Sequence, residues 1–154
     1  MSYFSVSYDG VCKLIDSLKL SASSGTDGIN SKVLKGTKYV SSFYLTDIFN
    51  QSLSTGEVPR DWRIGKVIPI YKDGPKLCPL NYRPITLVST PCKLLEHIIF
   101  SNLTDYLESC SFFYPHQHGF RRGYSCASQL ASLIHDLSSN LDIGVHTDVI
   151  FLDF

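Results

Sequence analysis

Residues 147–154, Thr-Asp-Val-Ile-Phe-Leu-Asp-Phe, are rich in β-branched and aromatic side chains and run almost unbroken in apolar character from Val149. Such a run suits a strand covered on both faces, because a strand with one wet face alternates apolar with polar residues. It demands a layer on either side. It also places a carboxylate, Asp153, where ionisation is costly unless a hydrogen-bond network, a cation or a metal compensates it. The plainer alternative is that Asp153 marks the polar end of the strand.

Upstream the periodicity is mostly helical. Val11, Leu14, Ile15 and Leu18 recur at i, i+3, i+4 and i+7, which predicts an amphipathic helix over 8–20. Small residues over 21–28 form a loop, and a short helix over 30–35 stops at Gly36. A longer helix over 38–55 ends at Gly56 and is expected to bury Val40, Tyr44, Ile48, Phe49 and Leu53. Pro59 and Trp62 lead into an extended stretch. Residues 66–72 read as a strand, Asp73-Gly74-Pro75 as a turn and 83–88 as the returning strand, with Pro69 and Pro84 favouring sheet edges. Pro91 opens a helix to about 108 whose apolar face is Leu94, Leu95, Ile98, Ile99, Leu103, Tyr106 and Leu107. Ser125 caps a last helix through about 140, burying Leu130, Leu133, Ile134 and Leu137. The expected fold class is α+β: mainly helical, with a small antiparallel β hairpin and a terminal strand. An N-terminal helical segment, 1–20, precedes the remaining domain, 21–154.

Composition excludes several classes. With 44% hydrophobic residues and 12% aromatics the chain is not a disordered tail. No apolar run approaches the ~20 residues that span a bilayer. Residues 1–7 lack a basic region followed by an apolar core, so no signal peptide, no membrane partner and an intracellular location are expected, with nucleus and cytoplasm unresolved. Five scattered cysteines do not form a disulfide framework and suit a reducing compartment. Cys110, His116, His118 and Cys126 invite zinc, but their spacing lacks paired ligand knuckles. No Gly-x-Ser-x-Gly elbow supports a hydrolase. Net charge is zero, yet residues 60–83 hold six basic groups against two acidic ones, concentrating positive charge on the expected hairpin.

Five blocks then stand in order ahead of the terminal run. Ser24-Gly25-Thr26-Asp27-Gly28-Ile29 comes first, followed by Phe49-Asn50-Gln51-Ser52-Leu53 with Gly56-Glu57-Val58-Pro59-Arg60-Asp61-Trp62. Next is Gly65-Lys66-Val67-Ile68-Pro69-Ile70-Tyr71-Lys72-Asp73-Gly74 with Asn81-Tyr82-Arg83-Pro84-Ile85-Thr86-Leu87. Lys93-Leu94-Leu95-Glu96 follows, then Gln117-His118-Gly119-Phe120-Arg121-Arg122-Gly123-Tyr124-Ser125-Cys126, and finally Phe151-Leu152-Asp153-Phe154. In this order and spacing the chain resembles the reverse transcriptases of non-long-terminal-repeat (non-LTR, LINE-like) retrotransposons over roughly residues 20–154.

The resemblance implies an N-terminal piece of a reverse transcriptase domain, the fingers and first palm strand. In the family the Leu-Asp-Phe strand continues into Ser-Lys-Ala-Phe-Asp, and a later hairpin carries Tyr/Phe-x-Asp-Asp; neither lies in these residues. The implied activity is Mg²⁺-dependent addition of deoxynucleoside triphosphates to a DNA primer on an RNA template. Asp153 matches the first catalytic, metal-ligating Asp, and Phe154 would add a main-chain carbonyl to the metal. One Asp cannot hold two ions, so the isolated chain is expected to be inactive. The alternative is a non-catalytic nucleic-acid-binding remnant of a degraded element.

Lys72 and Arg83 match the nucleotide-binding cations of the fingers, with Lys66 and Lys76 competing for the Lys72 role or contacting nucleic acid. Arg121 is expected at the nucleotide, and Arg122 and Tyr124 at the nucleic acid. The plainer readings are a solvated hairpin, and a loop with Phe120 in the core and one arginine in water. Lys93 and Glu96 suit a helical ion pair. Gln117 and His118 suit loop-shaping hydrogen bonds. Without sheet partners, residues 149–152 would form an apolar edge prone to aggregation.

Overall fold

The computed structural model describes residues 4–21 and 24–152. They divide into two compact units, Met1–Asn102 and Leu103–Phe154.

The first unit is built on three helices, α1 (Tyr8–Ser17), α2 (Ser31–Gly36) and α3 (Lys38–Thr55). Ser7 caps α1 by accepting the Gly10 N–H at 3.2 Å, and Asn30 caps α2 by accepting the Val33 N–H at 3.0 Å. Each satisfies an amide that the first helical turn leaves without a partner. Gly56 ends α3 in the left-handed conformation at φ 72°, as its position after the last apolar residue predicts. Val11 and Ile15 of α1 are fully buried and join Leu34, Leu45, Phe49, Leu94, Leu95 and Ile98 in one core. A short 3₁₀ turn, Arg60–Arg63, precedes the expected extended stretch and returns Trp62 to that core, edge-on to Phe49 at 5.8 Å between centroids.

The buried face of α3 differs from expectation. Val40 and Tyr44 are exposed and Ile48 and Leu53 are half-buried, while Ser42, Leu45, Phe49 and Ser52 face inward. Apolar periodicity misses this face because two of its four positions are serines, whose small side chains leave little standing between packed helices. At the α1–α3 contact the Cys12 thiol donates to Ser42 Oγ at 3.2 Å.

Strands β1 (Lys66–Tyr71) and β2 (Tyr82–Leu87) pair antiparallel, with Lys66 opposite Leu87 and Tyr71 opposite Tyr82. Both prolines sit within this two-stranded ribbon, paired Pro69 to Pro84, where outward backbone edges need no N–H. Helix α4 (Thr90–Ser109) follows, its start stabilised by the Ser89 hydroxyl, which accepts the Cys92 N–H at 3.2 Å. Leu94, Leu95 and Ile98 are buried, but Ile99, Leu103 and Tyr106 are exposed, so the covered face is narrower than expected. The expected Lys93–Glu96 pair is not among the ion pairs of the described residues. Glu96 instead accepts from the Cys92 thiol at 3.6 Å, one helical turn back on the same face.

In the second unit the end of α4 leads through a loop to α5 (Cys126–Asp142), which begins with a reciprocal cap between Ser125 and Ser128. No residue of α5 is buried: Leu130 and Ile134 are exposed, and Leu133 and Leu137 half-buried. Its amphipathic stripe forms the helix as predicted without being covered. The terminal strand also departs from expectation. Residues 147–152 carry no strand, and Val149, Ile150, Phe151 and Leu152 are exposed. A strand is a shared hydrogen-bond ladder, and the one ladder among the described residues is β1–β2. Asp153 and Phe154 lie outside the described residues.

The described residues are therefore mixed helix and sheet, mostly helical, with one two-stranded antiparallel hairpin. None of their helices is long and apolar enough to cross a membrane.

Candidate functional site

The hairpin sorts its cations by the pleat. Successive side chains alternate between faces, and cross-strand partners share one. The register places Lys66, Ile68 and Ile70 on the same face as Arg83, Ile85 and Leu87. The Lys72 N–H donates to the Asn81 carbonyl at 2.8 Å, extending the ladder by one position, so alternation puts Lys72 on that face beside Arg83. Lys66 stands on it too, at the far end of the strand. Lys76 belongs elsewhere: its ammonium lies over the ring of Tyr71, 5.8 Å from the centroid, on the opposite face.

The hairpin tip is held by groups that the sequence pattern did not single out. Tyr71 and Tyr82 meet edge to face at 5.6 Å, the Tyr71 hydroxyl donates to the Gly74 carbonyl, and the Tyr82 hydroxyl donates to the Lys76 carbonyl at 2.9 Å. Asn81 spans the turn by donating to the Pro75 carbonyl at 2.9 Å. Leu77 and Leu80 project outward at 98% and 91% exposure. Lys66, Lys72, Lys76 and Arg83 are all exposed, and none pairs with a carboxylate among the described residues. An ordered loop thus presents cations with their charge uncompensated.

The Gly119–Gly123 loop is organised from below. Arg121 meets Glu108 of α4 in a two-pronged pair: Nε and an Nη each donate to a carboxylate oxygen at 2.8 Å. The other Nη donates to the carbonyls of Tyr114 at 3.3 Å and Gln117 at 3.4 Å. The guanidinium lies 4.5 Å from the ring centre of Tyr124 and 5.3 Å from that of Phe113, and the side chain is 11% exposed. Arg121 hydrogen bonds hold the Glu108 carboxyl below its ordinary range. His118 Nδ1 and Ser128 Oγ share a hydrogen bond at 2.8 Å, and the Gln117 amide donates to the Gly119 carbonyl at 3.3 Å, the loop-shaping roles expected of both residues.

Between these anchors the loop turns outward. Phe120 has φ 61° and is 92% exposed, so it stands in water rather than in the core. A left-handed backbone costs a non-glycine residue about 1–2 kcal/mol, and the Arg121 anchors hold Phe120 in it. Gly123, at φ 82°, takes the second left-handed position without that penalty. Arg122 is exposed and pairs with no carboxylate among the described residues, and Tyr124 is also exposed. Glu108 is the residue missed in the sequence. It lies 13 positions before Arg121, and no spacing rule connects them.

Among the described residues no three His, Cys, Asp or Glu converge to hold a metal ion. The two positions expected to ligate one, Asp153 and Phe154, are outside that set.

No family model matches the chain. Among curated proteins it is 31% identical, over 93% of its length, to the "Probable RNA-directed DNA polymerase from transposon BS" of Drosophila melanogaster. It is 29% identical over 84% of its length to the corresponding polymerase named for the X-element of the same species, and 26% identical over 84% to the "RNA-directed DNA polymerase from mobile element jockey". The chain spans 16%, 14% and 14% of those relatives, about a sixth of their length or less.

Proposed function

We propose that this chain, whose homologues are the RNA-directed DNA polymerases of non-LTR retrotransposons, supplies the fingers and first palm strand of such a polymerase. The observation that carries the roles assigned to its residues is the single hairpin face shared by Lys72 and Arg83. An incoming deoxynucleoside triphosphate has to be oriented, and the charge that builds on its leaving pyrophosphate has to be neutralised. Two adjacent cations that pair with no carboxylate among the described residues suit that task. The planar fork of Arg83 can bond two phosphate oxygens at once, and Lys72 adds a point charge beside it.

Lys66 and Lys76, at other parts of the ribbon, contact the sugar-phosphate of template or primer, as do Arg122 and Tyr124 from the loop. Arg121 acts at the nucleotide side of the same loop, either through its own donors or through what it holds in place. A divalent metal, Mg²⁺, bound in the whole polymerase would supply electrostatic stabilisation of negative charge on the reacting oxygens. Asp153 and the main-chain carbonyl of Phe154 would be this chain's contribution to holding it.

Primer extension on an RNA template with Mg²⁺ and deoxynucleotides tests the reading. The 154-residue chain is compared with a version lengthened through the rest of the palm, and with Asp153→Ala in that longer version. Extension by the longer form alone, abolished by Asp153→Ala, is the expected result. Extension by the 154 residues alone overturns the role of the further carboxylates. No extension by either form reduces the chain to a nucleic-acid-binding remnant.

A further inference from the structure

Arg121 and Arg122 are neighbours in sequence with opposite circumstances. The Arg121 guanidinium spends four hydrogen bonds on Glu108, Tyr114 and Gln117, and one of its faces lies 4.5 Å from the ring centre of Tyr124. Of five N–H donors, one remains, on a side chain only 11% exposed. A phosphate arriving there would find nearly every donor taken. Arg122 is exposed and pairs with no carboxylate among the described residues, and Phe120 stands 92% exposed on a left-handed backbone.

We propose that Arg121 is a positioning residue, locked on Glu108 so that the loop holds Phe120 and Arg122 outward as a stacking and phosphate-binding pair for a single-stranded nucleic acid. The inference rests on the polymerase reading above and deepens it by dividing the labour between the two arginines. An exposed aromatic ring offers a face to any base, and an adjacent guanidinium offers its fork to the phosphate beside that base. Two residues apart, on a turn fixed at both feet, they fit one nucleotide step. The Glu108–Arg121 pair touches no nucleic acid itself.

The test uses the 154-residue chain with two independent readouts. Hydrogen exchange and trypsin cleavage at residues 113–124 report the order of the loop. Fluorescence anisotropy with labelled single-stranded RNA, and with DNA of matched sequence, reports binding and separates template from primer chemistry. Glu108→Ala and Arg121→Ala should both speed exchange and cleavage, and both should weaken binding, although Glu108→Ala removes a negative charge. The charge-swapped pair Glu108→Arg with Arg121→Glu should recover only part of both readouts relative to either single variant, because a carboxylate at 121 cannot donate to the Tyr114 and Gln117 carbonyls. Phe120→Ala should leave loop order intact and weaken binding roughly five- to a hundredfold. Arg122→Ala should lower the salt dependence of binding by about one ion.

Binding that is unchanged or tighter in Glu108→Ala but lost in Arg121→Ala would make Arg121 a direct phosphate ligand and overturn the proposal. Loop order indifferent to Glu108 would overturn it as well, whatever the binding. Loop order that depends on Glu108, in a chain with no salt-sensitive binding to either strand, would instead sink the nucleic-acid reading on which the display of Phe120 and Arg122 rests.

Discussion

Asn50 grips Val6 by both of its backbone groups. The Val6 N–H donates to Asn50 Oδ1 at 2.8 Å, and the Asn50 amide nitrogen donates to the Val6 carbonyl at 2.9 Å. One side chain thereby reproduces the paired bonds of an antiparallel strand across 44 positions of sequence. It anchors the segment before α1 to α3, next to fully buried Phe49.

Asn50→Ala should therefore destabilise the chain by about 1–3 kcal/mol, because two half-buried backbone groups lose their partner at once. Asn50→Asp should also destabilise, since a carboxylate can accept from Val6 but cannot donate to it. Denaturant unfolding of both variants against wild type checks this, and an Asn50→Asp as stable as wild type would contradict it.

Gly25 is a contact glycine. A Cβ there would fall 2.6 Å from the backbone nitrogen of Ser89, where β2 hands over to α4. Backbone cannot step aside as a flexible side chain does, so Gly25→Ala should cost about 2–3 kcal/mol through overpacking. Gly28 is a conformational glycine, at φ 69° with open space, free of other atoms within 4 Å, where a Cβ would stand. Gly28→Ala should cost only about 1 kcal/mol, the penalty of a left-handed backbone alone. Equal melting shifts for the two would count against this distinction.

Burial, aided by Glu96, pushes the Cys92 thiol up from 9.0 to about 11. A thiolate is the reactive form, so Cys92 should resist alkylation at pH 8–9 while exposed Cys110 and Cys126 react. The folded state holds this proton more tightly than the unfolded chain. The stabilising contribution is complete below about pH 9 and is lost as pH rises toward 11. Mass spectrometry of alkylated sites over pH 7–10 gives the order, and Cys92 labelling as fast as Cys110 would refute it.

Lys72 and Arg83 share a hairpin face that Lys76 does not. In the lengthened polymerase, Arg83→Ala should raise the deoxynucleotide KM about ten- to a hundredfold, the range for losing charged hydrogen bonds. Lys72→Ala should raise it less, and Lys76→Ala should leave it near wild type while weakening primer–template binding in a salt-dependent way. A Lys76→Ala whose KM rises as far as that of Arg83→Ala would reverse the assignment of faces.

Ile150 and Phe151 are 81% and 84% exposed. Replacing them with charge, as Ile150→Lys with Phe151→Glu, should lower light scattering of the purified chain, because a bare apolar run is a template for association. A wild-type chain that stays monomeric through a cooperative melt would show that this run does not drive aggregation.

Much of the local architecture was legible from the sequence. The placing of α1, α2 and α3 (α1 ends at Ser17, three residues short of the expected Leu20), the hairpin, and the Ser125 cap follow from short-range causes: apolar spacing, side-chain oxygens at helix starts, and glycines where φ turns positive. The cations of residues 60–83 and the ordered blocks of the family are likewise written in the chain itself. The tertiary structure decided what those local rules do not encode. It chose Ser42 and Leu45 over Val40 and Tyr44 as the inner face of α3, because close helix approach rewards small residues as well as apolar ones. It left residues 147–152 without a strand, because a ladder needs a second chain segment to bond. It also set Arg121 on Glu108 and Phe120 in water, an arrangement made by contacts across a folded loop rather than by any periodicity along it.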